Sequence, residues 1–281
     1  MTMTPVALTL AILLTSVLAG LVGSMLGLGG GIIIVPALTL FFGYDFRTAV
    51  AASAVAIIAT STGAAVAYLR DHITNTRIAM FLEIGSTLGA LSGAFIAGYV
   101  PARFLFLLFA ALMAYSAFSM FRARKSELRE DVVPDRLSER LQLRGAYYDK
   151  ALGRTISYRA TGALPGLLLM YVSGAFAGLL GVGGGTFKVP AMDIVMKLPI
   201  KVSTATSNFM IGVTAAASAA VYFVRGDVQP LVAGPVALGV LCGALLGSRL
   251  MVRMKGSTLR LLFVPLLVYV AVQMAWKGVT Y

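Results

Sequence analysis

Apolar stretches and short polar segments alternate along almost the whole chain. The first charged side chain is Asp45, and Glu83 is the one charge within residues 78–100. No charge at all occurs in residues 48–69, 104–121, 160–187, 202–224 and 228–248. A helix that crosses a bilayer needs about 20 mainly apolar residues, and most of these stretches have that length. The pattern therefore predicts an all-α polytopic membrane protein.

The sequence also matches itself at one constant offset. The segment "LGLGGGIIIVPA" (26–37) aligns with "LGVGGGTFKVPA" (180–191), and Ser53 aligns with Ser207. Both copies continue with a glycine at every fourth position, at Gly85, Gly89 and Gly93 and at Gly239, Gly243 and Gly247. Small residues at this spacing let helices pack closely. The agreement predicts two homologous repeats within one chain.

Each predicted repeat has one broken apolar stretch followed by three ordinary helices. We predict transmembrane repeat 1 over 1–121, a charged cytoplasmic linker over 122–160 and transmembrane repeat 2 over 161–281. The broken stretches are 6–42 and 162–198, with helix breaks at Gly27, Pro36, Gly181 and Pro190. The ordinary helices are predicted at 47–69, 77–100, 103–122, 201–224, 229–251 and 257–277.

The number of times that each broken stretch crosses the membrane decides the topology. One crossing and a re-entrant segment give parallel repeats, whereas two crossings give inverted repeats. Lys and Arg are enriched in cytoplasmic loops. With the linker inside, inverted repeats place more Lys and Arg inside than parallel repeats do. The charge bias therefore favours inverted repeats, and parallel repeats with re-entrant segments stay open as the alternative.

The glycine motifs predict a binding site for a small anion. An interrupted helix in lipid exposes N–H and C=O groups that need partners, and transporters built from repeats bind substrates at such breaks. Glycine lets a ligand approach bare backbone, and a helix start offers free N–H groups and a positive dipole end. The predicted positions are Gly29, Gly30, Gly31, Gly183, Gly184 and Gly185. The alternative is that these glycines only let helices cross closely.

Polar side chains near the motifs extend the predicted site. Ser53 and the run "TATSN" (204–208) lie about two turns into the helix after each motif, where hydroxyl and amide donors suit an anion. Lys188 occupies the position of Ile34 in the first copy, and an ionisable group within a membrane indicates function. The predicted substrate-binding side chains are Ser53, Thr186, Lys188, Thr206, Ser207 and Asn208. A bond back to the helix carbonyls is the alternative for single hydroxyls.

Two carboxylates are candidates for proton coupling. Glu83 lies within a predicted helix, and Asp193 follows Lys188 by a short interval. Lys188 itself could balance the charge of a substrate or carry a proton. The alternatives are that Lys188 pairs with Asp193 or reaches an interface, and that Glu83 is a satisfied carboxylate at the interface.

Several other chemistries are disfavoured by composition. The chain has one cysteine, Cys242, and one histidine, His72, so we predict neither a disulfide framework nor a metal site. The glycine motifs lack the last glycine of G-x-G-x-x-G and the GK[ST] of a nucleotide loop. The net charge is +12, and the Lys and Arg residues fall mainly in the linker and at the ends of segments, as in membrane proteins. We therefore expect no cofactor, no enzymatic activity and no nucleic-acid partner, and a homo-oligomer stays open.

The doubled motif GxGGGxxxVPA, with "TATSNFMIGVT" (204–214) after the second copy, resembles the TauE/SafE sulfite exporter family of membrane permeases. The resemblance covers nearly the whole chain apart from the linker. It implies transport of small anions such as sulfite and organosulfonates. The matching positions are Gly27, Gly29, Gly30, Gly31, Pro36, Gly181, Gly183, Gly184, Gly185 and Pro190.

The residues and the resemblance together predict a secondary transporter in the plasma membrane. It would cross the lipid bilayer several times and move a small anionic substrate, sulfite or an organosulfonate, by alternating access coupled to protons. The alternatives are an uncoupled anion channel and a transporter of another small oxyanion or a carboxylate.

Overall fold

The computed structural model describes residues 4–122, 132–149, 152–253 and 256–280, and these are mostly helical. The first half contains α1 (Pro5–Leu26), α2 (Gly31–Pro36), α3 (Phe46–Arg70), α4 (Thr76–Ala97) and α5 (Ala102–Arg122). The linker contains α6 (Arg136–Arg140), β1 (Arg144–Asp149) and β2 (Arg154–Arg159). The second half contains α7 (Ala163–Leu180), α8 (Gly185–Pro190), α9 (Ile200–Arg225), α10 (Pro230–Arg253) and α11 (Gly256–Thr280). Short π-helical turns extend α2 over Ala37–Phe41 and α8 over Ala191–Val195.

Several of these helices have the length and composition of membrane spans. Among the described residues, six helices are long and apolar enough to cross a membrane, namely α1, α3, α4, α7, α9 and α10. Shorter apolar helical segments cover Gly31–Phe41, Ala102–Phe118 and Val264–Thr280. The prediction of a mainly helical chain with several apolar helices of membrane length is therefore confirmed.

The linker contains a β-hairpin, so the prediction of an all-α chain is wrong for this segment. β1 pairs with β2 antiparallel, from Arg144 opposite Arg159 to Asp149 opposite Arg154. Side chains alternate between the two faces of a strand, and in β1 Tyr147 and Asp149 are buried whereas Tyr148 between them is exposed. In the sequence, the many charged residues of this segment indicate a solvated loop. The alternation that indicates a strand is too short to outweigh that signal.

The buried face of the hairpin lies against the start of α9 and the connection between α3 and α4. Lys201 Nζ, in the first turn of α9, is 2.8 Å from Asp149 Oδ1, and both side chains are almost fully buried. Asn75, just before α4, donates through Nδ2 to the hydroxyl of Tyr158 at 3.0 Å. Burial, and then the charge of Asp149, raise the pKa of the Tyr147 hydroxyl, which donates to that carboxylate. The linker is thus seated on one end of the helices, called here the linker end.

The opposite end of the helices, called here the far end, is held by bonds between other helix termini. Arg47, at the start of α3, donates to Gly98 O just after α4 at 3.1 Å. Arg225, the last residue of α9, donates to Ala94 O at 3.1 Å. Hence α3 runs from the far end to the linker end, whereas α9 runs from the linker end to the far end.

Helices pack most closely where a glycine faces the backbone of a neighbour. A Cβ on Gly89 of α4 would overlap Tyr171 O of α7, and a Cβ on Gly243 of α10 would overlap Val17 O of α1. The glycines spaced by four residues therefore serve close helix packing, as their pattern predicts.

Candidate functional site

Each broken stretch turns through glycines whose backbone is left-handed. The first break has φ values of +73°, +75° and +77° at Gly27, Gly29 and Gly30. The second has +64°, +70° and +72° at Gly181, Gly183 and Gly184. Side chains of L-residues are strained at such angles, and glycine is not. A new helix then begins, α2 at Gly31 and α8 at Gly185.

The two breaks lie directly against each other. A Cβ on Gly31 would overlap Gly181 O, and a Cβ on Gly185 would overlap Gly27 O. At the point where the two breaks meet, each therefore presents the backbone of a glycine, with no side chain, to the other. This arrangement, called here the crossing, brings together residues from both halves of the chain.

Two isoleucines close the space beside the crossing. Ile57 of α3 and Ile211 of α9 are fully buried and belong to one small apolar cluster. A Cβ on Gly29 would lie 2.8 Å from Ile211 Cδ1, and a Cβ on Gly183 would lie 3.3 Å from Ile57 Cδ1. The crossing is closed in this conformation, so an anion would reach the glycine N–H groups only after the broken helices move.

Ser53 and Ser207 hold the two breaks in matching ways. The Ser53 hydroxyl, on α3, donates to Gly181 O at 2.6 Å, and the Ser207 hydroxyl, on α9, donates to Gly27 O at 2.8 Å. The last carbonyls of a helix have no partner within it. The two serines satisfy such carbonyls at the ends of α7 and α1. In this conformation their hydroxyl protons are therefore not available to donate to an anion.

The other predicted polar residues of α9 take different positions. Asn208 donates through Nδ2 to Ser24 O at 2.8 Å and to Thr204 O at 3.2 Å, next to the first break. Its Oδ1 is buried and has no hydrogen-bond partner in the described part of the chain. The hydroxyl of Thr206 points to the linker end, where it accepts from the N–H of Asn75 at 3.1 Å.

Pro36 and Pro190 end α2 and α8 without ending the helical path. Their φ and ψ are −60° and −42°, and −60° and −38°, and a π-helical turn follows each of them. Proline supplies no N–H to the helix, and the wider turn accommodates that gap. At the two prolines the chain thus changes from an α-helix to a π-helix, whereas at the glycines the helix ends. Thr186 lies in α8, and its side chain is outside the described part of the structure.

Lys188 is fully buried just after the second break, within a group of polar side chains. Its Nζ lies 3.7 Å from Oε2 of Glu83 on α4 and donates to the Thr214 hydroxyl on α9. The Thr214 hydroxyl is also 2.7 Å from Glu83 Oε1 and 2.8 Å from the Ser86 hydroxyl. Thr87 donates to Glu83 Oε1 at 3.0 Å. We call these five residues the polar cluster.

The sequence indicated Lys188 and Glu83 separately and missed their pairing. A partner so distant along the chain leaves no local signal, and the alternative weighed for Lys188 was the nearby Asp193. Asp193 is buried on the π-helical turn after α8. Thr214 was also missed, although it ends the quoted segment "TATSNFMIGVT". The order of residue types along α9 does not show which face of this helix contacts α4.

The remaining candidates for metal or redox chemistry lie apart from the crossing. Within the described ranges, no group of three or more His, Cys, Asp or Glu side chains could hold a metal ion. Cys242 is exposed on α10, and His72 is exposed in the connection between α3 and α4.

Comparison with known proteins gives consistent matches along the chain. A family model described as sulfite exporter TauE/SafE matches residues 12–274. The probable membrane transporter protein YunE of Bacillus subtilis is 28% identical over 269 residues, which cover 93% of this chain and 95% of the relative. The probable membrane transporter protein YdhB of the same organism is 24% identical over 238 residues, 85% of this chain and 88% of the relative. A probable membrane transporter protein of Xylella fastidiosa is 27% identical over 266 residues, 92% and 93%. No solved structure matches the chain significantly.

Proposed function

The chain belongs to the sulfite exporter TauE/SafE family and is a membrane transporter, and from this premise we propose that it moves sulfite or an organosulfonate across the plasma membrane. The observation that carries the proposal is the crossing, where two glycine breaks from different halves of the chain meet beside one buried lysine. Transport proceeds by alternating access, with the crossing exposed first to one end of the helices and then to the other.

The two halves are proposed to be inverted repeats. Each half contains, in the same order, a long helix, a glycine break, a short helix with a π-helical turn and three further helices. The opposite directions of α3 and α9 support inversion, because parallel repeats would run these helices in the same direction. With the linker in the cytoplasm, basic residues such as Lys201 at the linker end are inside, in line with the charge bias of membrane proteins.

A small oxyanion suits the crossing for two reasons. Glycine leaves the N–H groups at positions 29–31 and 183–185 without side chains that would keep a ligand away, and these groups lie at the starts of α2 and α8, where the helix dipole is positive. Lys188 adds a full positive charge next to the second break, and hydrogen bonds from a charged donor to an oxyanion are the stronger kind.

The way in which the crossing is closed supports alternating access. Ser53 and Ser207 each tie a break to a helix of the opposite half, so relative motion of the halves changes both breaks together. The isoleucine pair Ile57 and Ile211 closes the space beside the two glycine turns and must part before a substrate fits. We propose that protons drive this motion, with Glu83 as the first candidate carrier and Asp193 as the second.

The test of the proposed function is binding and flux with a panel of anions. The purified protein is heated with sulfite, thiosulfate, sulfate, taurine, sulfoacetate or acetate, because a ligand that binds only the folded state raises the melting temperature. The stabilising anion is then followed into proteoliposomes. A carrier shows saturable uptake that accelerates when the same anion is present on the opposite side.

Gly234→Ala is the matched control, since nothing lies within 4 Å of a Cβ at Gly234 of α10. This variant should keep both the thermal response and the flux, whereas Gly183→Ala should weaken both. Uptake without saturation or acceleration would assign an uncoupled channel instead. If acetate alone stabilises the protein, the substrate is a carboxylate, and if no anion stabilises it or enters, the proposed anion site is wrong.

A further inference from the structure

The polar cluster joins a proton-binding group to an anion-binding group inside the helices. We propose that Glu83 and Lys188 form an exchange couple, in which protonation of Glu83 releases Lys188 to bind the transported anion. The inference rests on the proposed function, because it assigns the coupling of that same site to two named residues. Thr214 is the positioning residue that contacts both of them.

The geometry of Glu83 separates its two oxygens by role. Oε1 receives hydrogen bonds from Thr214 at 2.7 Å and from Thr87 at 3.0 Å. Oε2 is buried, lacks a hydrogen-bond partner within the described residues and lies 3.7 Å from Lys188 Nζ. Oε2 can therefore take a proton without breaking a hydrogen bond to any described residue, and the ion pair that it loses is the one with Lys188.

The energetics of a buried charge make the exchange cooperative. With Glu83 ionised, Lys188 is paired and offers no net positive charge to an anion. With Glu83 protonated, Lys188 is an unpaired cation in low-dielectric surroundings, which is costly. A monoanion at Lys188 restores the balance. One proton and one monoanion thus bind together, the cluster keeps its net charge, and the pair crosses without moving net charge.

The fold does not require a lysine at this position. In the first copy of the motif the aligned residue is Ile34, which is 2% exposed, whereas Lys188 is 0% exposed. The two breaks turn through glycines with similar φ values. Because a buried cation follows one break and a buried isoleucine follows the other, the chemistry of the lysine explains its presence better than packing does.

Other ionisable groups on the helices around Glu83 have their own partners elsewhere. Lys201 of α9 pairs with Asp149, and Arg225 of α9 pairs with Asp227. Tyr171 of α7 is 3.3 Å from the Ser92 hydroxyl. Among the described ion pairs of the cluster, Lys188 is therefore the group that faces Glu83.

Binding calorimetry with methanesulfonate tests the couple, because this anion stays ionised across the pH range used. While Glu83 is ionised in the free protein, binding of the wild type should tighten about tenfold for each unit by which the pH falls. Titrations in two buffers of different protonation enthalpy should report uptake of about one proton per anion. Glu83→Gln mimics the protonated acid, so it should bind at every pH with no proton uptake.

The Lys188 variants and Asp227→Asn complete the experiment. Lys188→Arg should keep binding and Lys188→Met should lose it. The double variant Glu83→Gln/Lys188→Met should melt close to the wild type and still fail to bind, which separates the loss of binding from misfolding. Asp227→Asn, at the far end, is the matched control and should keep wild-type proton uptake.

Three results would count against the couple, and they separate it from the proposed function. If Glu83→Gln still takes up one proton per anion, the couple is overturned while the anion site stands. Loss of that uptake in Asp193→Asn instead would assign the proton to Asp193 and also overturn the couple. If the wild type binds neither methanesulfonate nor any other anion of the panel at any pH, the proposed function fails and the couple fails with it.

Discussion

The break at Gly27–Gly31 and the break at Gly181–Gly185 have similar backbones and different surroundings. Both turn through left-handed glycines, and a serine from the other half holds each of them. The first is followed by the buried Ile34, whereas the second is followed by Lys188 and its contacts to Glu83 and Thr214. The shared features are those that the turn itself requires. The features found at one break alone are free to serve the substrate.

We expect the largest loss of stability when a side chain is added to either break at the crossing. Gly31→Ala and Gly185→Ala each place a Cβ on a backbone carbonyl of the other break, which cannot move aside as a flexible side chain could. We expect each change to cost more than about 4 kcal/mol, a size that marks a core defect. The measurement is the yield of monodisperse folded protein and its melting temperature, with Gly234→Ala expected to behave as the wild type. A stable Gly185→Ala protein would show that the crossing is looser than described.

Neutralising Lys188 tests the difference between the breaks. Lys188→Met leaves Glu83 without its partner, and we expect a loss of about 3 kcal/mol, as for other buried pairs that lose one member. Ile34→Met at the aligned position changes little volume and should cost less than about 1.5 kcal/mol. Thermal unfolding of both variants measures the contrast.

The double variant Glu83→Gln/Lys188→Met provides the control for this contrast. Because it removes both charges, it should recover most of the stability that Lys188→Met loses. Equal losses in Lys188→Met and Ile34→Met would mean that the charge pair adds nothing specific to the second break.

Removing the serines tests what the breaks share. Ser53→Ala and Ser207→Ala each leave one buried carbonyl, Gly181 O or Gly27 O, without its hydroxyl donor. An orphaned buried acceptor costs about 1–3 kcal/mol, and the two losses should be similar. Melting temperatures under the same conditions make the comparison. A large loss of stability at one serine with none at the other would show that the two hydrogen bonds contribute unequally despite their matching geometry.

Thr206 gives the smallest effect. Its hydroxyl accepts from the N–H of Asn75 at the linker end, and the aligned position in α3 is Ala52, which has no hydroxyl. Thr206→Val keeps the shape and removes this acceptor, so we expect a loss of about 1 kcal/mol. A melting temperature close to the wild type, with anion binding unchanged, would fit a residue that supports the linker end only. Loss of binding would return Thr206 to the substrate site.

The helices were predictable from the sequence because their signals are local. The predicted helix at 47–69 corresponds to α3 at Phe46–Arg70, and Gly27 and Gly181, where helix breaks were predicted, have a left-handed backbone. Apolar runs and glycine clusters determine the backbone structure of residues close to them in the chain, so they can be recognised from the sequence alone. The hairpin was missed because its alternation is short and lies among charges.

The contacts of the candidate site were less predictable because they depend on packing between distant segments. Ser53 and Ser207 were named as ligands, and the structure shows what the sequence could not, namely that their hydroxyls bond to carbonyls of the opposite half. The pairing of Lys188 with Glu83 depends on which face α4 turns to α8. Composition and periodicity do not contain that information.

The reciprocal serine bonds also affect how the protein is made. Ser24 O accepts from Tyr68 of the first half as well as from Asn208, whereas Gly27 O accepts from Ser207 of the second half. Chains emerge from the ribosome with the N-terminal part first. During synthesis the Gly27 carbonyl therefore lacks its serine donor until the second half follows. The hydrogen bond that closes the first break thus forms only after α9 has been made, so the two breaks are completed in one late step rather than one after the other.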